Sequence, residues 1–532
     1  MTRPEASRRL VPPSDWLNTV VASEPSLGAG FLVMVTLLAA VLRFFRLGGQ
    51  SLWVDEVMSW QTIRPGVDLA FVEQITDAIQ GPLYLALTWP LLRIADTEIM
   101  LRLVPALAGV LAVPLFALTV QRLFNARSAR LAALLLAISP FHVWYSQEGR
   151  GYALLLLCTI LMGYLFLRLF EDRPGFGVSA GLALAMAAGV WSNMSAIFLM
   201  VALGLTVLFW QAPRTGRQWG VWSLAFVGAG FLVLPWVLKA SGIWAVDRLV
   251  VTAATGESLR GETTFTPLAL PYSLYTFFYG FSLGPSLREL HAPDKWPVLR
   301  QFLPVLLVAA VPVGVSLVSG LLALRRRQGF LLLWILIPLA ILIFLAVRNV
   351  KPWNPRYVAV VLPWLLTLSA AGLVRLPRRT GAGFTLLLMG LMLFSLWGHF
   401  SDGRYAKADI RGMVEFISAR ETSEGDPVPD AVLVPSVGNV FKYYYRGPAD
   451  ILNDFGWPQL RSAQDAEAFC DSTLSGRDAL LWVVARSWYF DPQDHLPGAL
   501  ARRGHLRLIH ETPGALLYSW QRPVFREVHH GE

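Results

Sequence analysis

Asp55 and Glu56 stand side by side in LWVDEVMSW, residues Leu52 to Trp60, just beyond the first apolar run of the chain. A carboxylate held there can take the proton from a hydroxyl as it attacks an electrophile, and one positioned carboxylate suffices. Adjacent residues point about 100° apart on a helix and cannot act as a face-to-face pair. One of the two is therefore read as the base, and the other as a residue that orients a substrate or the loop. The competing reading is helix capping, since acids favour a helix amino end. A second set is basic. Arg102 opens an apolar run, Arg150 lies in YSQEGRGY (Tyr145–Tyr152), and Arg348, Lys351 and Arg356 lie in RNVKPWNPRY. A phosphate leaving group needs no general acid, but it needs positive charge and hydrogen-bond donors of this kind. Interfacial snorkelling, or pairing with Glu148, is the bland alternative for each. Glu148, Tyr152 and Tyr357 share these segments, and with Tyr84 in GPLYLAL and Asn193 in WSNMS they complete the set of substrate-cavity candidates.

The elements that must position these residues are membrane helices. Of the 532 residues 55% are hydrophobic and 15% charged, against about 25% charged in a typical soluble protein. A membrane span needs about 20 largely apolar residues. Runs that qualify, or nearly do, are Leu27–Phe45, Leu101–Leu123, Leu131–Tyr145, Tyr152–Phe170, Val178–Trp191, Ser195–Trp210, Trp219–Leu238, Phe302–Leu324, Phe330–Val347, Tyr357–Val374 and Phe384–Trp397. That predicts a polytopic α-helical membrane protein of about eleven spans.

Arginines fall after every second span. Arg8 and Arg9 precede the first; Arg122, Arg127 and Arg130 follow the second; Arg168 and Arg173 the fourth; Arg214 and Arg217 the sixth. Arg325, Arg326 and Arg327 follow the eighth, and Arg375, Arg378 and Arg379 the tenth. All lie on one side if the spans alternate, and the positive-inside rule makes that side cytoplasmic. The same pattern explains the net charge of +9 without nucleic acid. Asp55, Arg150 and Arg356 then fall on the outer side. Pro82–Ile94 is too short to cross and reads as a helix at the outer membrane edge; Pro267–Leu283, aromatic-rich and in a long outer loop, reads as an interfacial helix or a short re-entrant piece.

The domain plan is a cytoplasmic segment 1–26, a membrane domain 27–398 with outer loops 46–100 and 239–301, and a small extracytoplasmic α/β domain 399–532. In the last, Asp409–Arg420 reads as a helix, and Ala431–Pro435, Ala479–Ala485, Leu506–Ile509 and Ala515–Trp520 as strands. Cys158 and Cys470 read as unpaired thiols, and Met1 to Trp16 is too polar for a cleavable signal. No zinc spacing, phosphate-binding glycine loop, dinucleotide turn or Ser-His-Asp pattern is present. A divalent metal on Asp55 stays open without support.

With these segments in place, the chain resembles a known group. WVDE after the first span is similar to the Asp-Glu signature of the family 39 and undecaprenyl-sugar transferases, the fold C glycosyltransferases. GPLYLAL (Gly81–Leu87), LRLVPALAG (Leu101–Gly109), SPFHVWYSQEGRGYALL with Pro140, Glu148, Arg150 and Tyr152, FYGFSLGP (Phe278–Pro285) and NPRYVAVVLP (Asn354–Pro363) resemble later family segments in order. The similarity covers about the first four hundred residues. It implies an inverting transfer of a sugar from a polyprenyl-phosphate carrier to a lipid, glycan or protein hydroxyl, with Asp55 as base. Arg150 and Arg356 would contact the phosphate, supported by Lys351 and Arg102. Gln80-Gly81-Pro82 stands where many relatives have His-Pro-Pro, and Asn193 where a histidine is frequent, so no histidine or metal role is assigned.

Two other classes compete. A transporter or lipid flippase would carry ionisable groups near the bilayer midplane, whereas the acids here gather at the outer edge. A non-catalytic assembly subunit would only display the outer domain. The orientation is testable by reporter fusions, expected to read cytoplasmic after Arg327 and external after Ser401. The reverse at either site removes the placement of the chemistry outside.

Overall fold

A computed structural model describes residues 27–66, 81–170, 175–210, 215–241, 265–291, 295–325, 328–348, 350–421, 431–452 and 460–523. The expected inner segment 1–26, with Arg8 and Arg9, lies outside the described residues, as do Gln80, Arg173, Arg214, Arg326, Arg327 and parts of both expected outer loops. The chain forms two compact units. The first comprises Met1–Phe45, Thr62–Gly280 and Leu307–Phe394; the second comprises Arg46–Gln61, Phe281–Leu306 and Ser395–Glu532.

In chain order the helices are α1 (Ala29–Phe44), α2 (Val54–Ile63), α3 (Pro82–Ile94), α4 (Glu98–Leu123), α5 (Ala126–Ala137), α6 (Pro140–Ser146), α7 (Tyr152–Arg168) and α8 (Phe176–Ser192). There follow α9 (Ala196–Phe209), α10 (Gly216–Ser241), α11 (Ala269–Tyr279), α12 (Leu287–Leu290), α13 (Trp296–Ala323), α14 (Phe330–Val347), a 3-10 turn (Pro355–Val361), α15 (Leu362–Arg375) and α16 (Arg378–Ser401). Among the described residues six helical segments are long and apolar enough to cross a membrane: α4, α10, α13, α14, the 3-10 turn with α15, and α16. Four shorter apolar helices, α1, α7, α8 and α9, match four more of the expected spans.

The remaining expected span, Leu131–Tyr145, is two helices. Pro140 cannot donate a backbone hydrogen bond and starts a new helix, α6, with Ser139 as its cap, whose Oγ accepts from His142 N at 3.3 Å. The break leaves Ala137 O at the end of α5 without a helical donor, which hydrocarbon does not tolerate. Arg43, fully buried on α1, supplies one: its guanidinium donates to Ala137 O at 2.8 Å, adds a bond at 3.1 Å to Leu136 O, which also accepts from Ser139 N at 3.3 Å, and meets His142 Nδ1 at 2.7 Å. Because arginine only donates, His142 Nδ1 accepts. The exchange is reciprocal. Gln147 Nε2, just past α6, donates to Arg43 O at 3.1 Å and Phe45 O at 2.8 Å, satisfying the carboxyl end of α1.

Elsewhere in this unit backbones approach through small residues, as lipid-bathed helices do. Ser316 and Ser369 hydroxyls pair at 2.7 Å between α13 and α15. A Cβ on Gly372 would stand 2.1 Å from Ser316 O, so only glycine fits there.

The second unit carries the sheet. After α17 (Ile410–Glu421) come β1 (Ala431–Leu433), α18 (Gly438–Tyr444), β2 (Asp450–Leu452), α19 (Ala463–Thr473), β3 (Ala479–Ala485), α20 (Ser487–Phe490), α21 (His495–Arg503), β4 (His505–Thr512) and β5 (Ala515–Gln521). The strand order is β2-β1-β3-β5-β4. β1 runs parallel to β2 and β3, while β5 is antiparallel to β3 and β4. Pro513 and Gly514, the latter at φ 72°, turn β4 into β5. Leu433, Leu480, Trp482, Leu496, Leu500 and Trp520 form the core. Cys158 and Cys470 are both free and buried. Glu289, whose side chain closes a capping box on Ser286, pairs with Arg404 at 2.7 Å. Burial pushes its pKa up, but the bonds from Arg404 and Ser286 win and hold it below the ordinary carboxylate value.

The Arg43 clamp makes a definite demand. Arg43→Met leaves Ala137 O and His142 Nδ1 without this donor, which costs about 1–3 kcal/mol for each buried group abandoned. The purified variant should unfold at clearly lower temperature than wild type, with Arg43→Lys between them. A midpoint unchanged in Arg43→Met excludes the clamp.

Candidate active site

In the first unit the segments marked by sequence meet at one end of α8. Gly81, before α3, and Gly151, before α7, both press on the last turn of α8: a Cβ on either would stand 2.3–2.4 Å from Ser192 O. The next residue, Asn193, ends α8 and turns its side-chain oxygen to Ser195 N at 3.0 Å. Tyr84 on α3 is buried and donates its hydroxyl to Leu101 O at 2.9 Å, tying α3 to the start of α4, where Arg102 follows and is also buried. Glu148 is buried, its Oε2 accepting from Trp144 Nε1 at 3.2 Å, and Arg150 lies two residues on, half-buried.

The 350–357 segment brings the remaining cations. The Tyr152 ring stands 5.0 Å from that of Tyr145, and the Arg356 guanidinium lies 5.7 Å from the Tyr152 ring and 5.3 Å from the Tyr357 ring. Lys351 Nζ is 4.4 Å from the centre of the Tyr357 ring. Trp353 holds this segment to α11 through Ser273 Oγ at 2.9 Å. Cations over aromatic faces keep their charge while the rings fix their direction. Chemically, this is a cradle of two half-buried arginine and lysine positions lined by phenols, suited to an anion.

The acids lie in the second unit. Val54 begins α2, so Asp55 and Glu56 occupy its first turn. Glu56 is fully buried, and its Oε2 accepts from Trp53 N at 3.3 Å, half of a capping box. The same oxygen takes Lys407 Nζ at 3.0 Å, with the lysine side chain 9% exposed. Asp55 is half-buried, and its backbone carbonyl accepts from Ser59 Oγ at 3.1 Å. Around them the 46–61 segment is held by residues more than 350 positions away. Ser51 Oγ donates to Asp409 Oδ1 at 2.6 Å, Leu52 N to Tyr444 OH at 2.8 Å, and Arg411 to Gly49 O at 3.0 Å. The Tyr443 ring meets Trp60 edge-on at 4.8 Å. Among the described residues, no three His, Cys, Asp or Glu side chains gather at metal-ligand spacing, so no side chain is assigned to a metal.

Sequence reasoning missed Lys407, Asp409, Arg411, Tyr444, Arg43 and Gln147. Arg43 had a signal, a lone arginine inside an apolar run, which asks for a buried partner. Lys407 had only its place in a charged stretch after the last span. Its pairing with Glu56 predicts a non-additive cycle. Lys407→Met strands a buried carboxylate, which costs about 3–5 kcal/mol, and adding Glu56→Gln should recover most of that loss in thermal unfolding. Fully additive losses mean the pair does not hold α2.

Comparison with known proteins bears on this geometry. Residues 79–238 match the family described as dolichyl-phosphate-mannose-protein mannosyltransferase. Comparison with curated protein sequences gives no match. Among solved structures, ArnT from Cupriavidus metallidurans in the apo state is 14% identical, with a TM-score of 0.55 over 93% of this chain and 98% of that one. The same protein bound to undecaprenyl phosphate is 15% identical, with a TM-score of 0.53 over 92% and 98%. The Archaeoglobus fulgidus oligosaccharyltransferase in its apo form is 11% identical, with a TM-score of 0.49 over 93% and 74%. Residues 79–238 therefore carry the segment that this family model describes, and the chain shares the multi-pass fold seen in ArnT.

Proposed function

We propose that the chain transfers a monosaccharide from a polyprenyl-phosphate donor to a hydroxyl acceptor at the outer face of the cytoplasmic membrane, with inversion at the anomeric carbon. The observation that carries the reading is the division of labour on α2: Glu56 is committed to Trp53 N and Lys407, and the neighbouring Asp55 is half-buried in the same first turn. The ArnT structure that resembles this chain is also known bound to undecaprenyl phosphate, which supports a carrier of that class as donor.

In the proposed step the acceptor oxygen forms a bond to the anomeric carbon as the carbon–oxygen bond to phosphate breaks. The acceptor proton passes to Asp55. The electron pair leaves with the phosphate, whose charge Arg150 and Arg356 stabilise with Lys351 and Arg102 in support. A single displacement inverts the centre, and no general acid is needed because phosphate is already a good leaving group. Tyr84, Glu148, Tyr152, Asn193 and Tyr357 shape the cavity, and Glu56 anchors the base. The amino terminus is placed in the cytoplasm and 399–532 outside.

Purified variants test the assignment. Asp55→Asn keeps shape and loses basicity, so initial transfer should fall by about 10²–10⁴-fold while donor affinity survives. Arg150→Lys and Arg356→Lys keep charge but lose the planar fork that suits phosphate, so each should raise the donor concentration needed for half-maximal rate. Near-normal turnover in Asp55→Asn removes the mechanism. Full transfer at limiting donor in both arginine variants removes the phosphate site.

A further inference from the structure

The outer sheet has a topological switch point. β1 leads through α18 to β2 on one side, whereas its parallel neighbour β3 leads through α20 and α21 to β4 on the other. Where adjacent connections leave a parallel sheet in opposite directions, a crevice opens at the carboxyl ends of the strands, and such crevices bind ligands. Here Leu433, the last residue of β1, is level with Trp482 of β3, which runs on to Ala485 and Arg486.

Three features at this edge ask for a ligand. Ser436, three residues past β1, has φ 72°, and Arg486, directly after β3, has φ 54°, left-handed conformations that side-chain-bearing residues avoid. Ser436 Oγ and Asn439 Oδ1 are buried atoms with no hydrogen-bond partner among the described residues. Aromatic side chains follow β3: Tyr489, with the Arg486 guanidinium 5.4 Å from its ring, and Trp488, stacked on His291 at 5.2 Å. A hydroxyl that both gives and takes, an amide oxygen that only takes, and aromatic faces suit a ligand rich in O–H donors with apolar C–H faces. A sugar has both. The same edge also holds the base. α18, which begins two residues past Ser436, carries Tyr443 against Trp60 and Tyr444 on Leu52 N, at the two ends of the segment bearing Asp55.

We propose that the carboxyl edge of β1 and β3 is a glycan subsite, with Ser436 and Asn439 as its polar contacts, and that it holds a hydroxyl-bearing acceptor. The assignment to the acceptor rests on the transfer reading above; the glycan site itself does not.

The test exploits opposite signs. Ser436→Gly relaxes the left-handed backbone, and Asn439→Ala removes a buried oxygen that lacks a partner. Both variants should unfold at or above the wild-type temperature. If the two side chains served only the fold, stability would fall instead. The full-length protein in nanodiscs is titrated, by fluorescence anisotropy, with end-labelled neutral oligosaccharides released from the source organism's envelope. Saturable binding to wild type is expected, weakened about tenfold in each variant, the loss of roughly one hydrogen bond, and unchanged in Lys442→Ala, an exposed position on the same helix. In transfer assays with the matching unlabelled envelope fraction, the half-saturating acceptor concentration should rise while that of the donor holds. Absence of binding to wild type, unchanged binding in both variants, or binding lost together with stability overturns the subsite. Intact glycan binding with no transfer by wild type instead removes the transfer reading and leaves the subsite standing.

Discussion

In hydrocarbon every backbone N–H and C=O must find its partner inside the protein, and the end of α5 is where this chain meets that demand most awkwardly. The helix stops at Ala137, and Pro140 begins the next one. Without a side-chain donor, the carbonyl of Ala137 would be abandoned in an apolar setting, while that of Leu136 would keep only Ser139 N at 3.3 Å. Arg43 reaches across from α1 to take both, and Gln147 returns the exchange by closing the end of α1. The break has a use. It lets the chain leave the helical path and turn through 147–151, so that Glu148 and Arg150 come off a short helix locked at both ends. The polar clamp therefore sets where the anion cradle begins.

The second unit solves a related problem with charge. Two adjacent acids on one turn repel each other and compete for the same helix dipole. Burying Glu56 on Lys407 satisfies one of them locally and fixes the helix in rotation about its own axis. The rotation of α2 then determines where Asp55 points, because the two side chains stay about 100° apart. A paired, desolvated neighbour is a rigid handle. It also makes the segment around 407–411 part of the device that aims the proposed base, although it is some 350 residues distant in sequence.

What the sequence revealed follows from which forces are local. Apolar runs and alternating arginines reflect the bilayer acting on each segment separately, so Pro82–Ile94 is a helix over those same residues and Ala479–Ala485 a strand over those same residues. Leu131–Tyr145 read as one span because hydropathy does not register that Pro140 lacks a donor. β2 escaped notice because three residues, Asp450–Leu452, are too few to show alternation. The candidate residues were legible by type and spacing. Their partners were not, because Ser51 with Asp409 and Glu56 with Lys407 are tertiary pairings that no sequence window contains.

The same reasoning separates two kinds of polar residue in the sheet-bearing unit. Asp465 with Ser462, and Asp491 with His495 N and Leu496 N, have their bonds satisfied locally and serve the helices they begin. Ser436 and Asn439 differ: among the described residues their buried oxygens have no such partners, and Ser436 also sits on a left-handed backbone. A fold optimised only for stability would place glycine at the first position and an apolar residue at the second, and either change is open to a single substitution. Sequences drift toward such gains unless function opposes them. The cost is therefore best understood as held in place by what those oxygens bind, at the sheet edge whose neighbouring helix also braces the turn that carries Asp55.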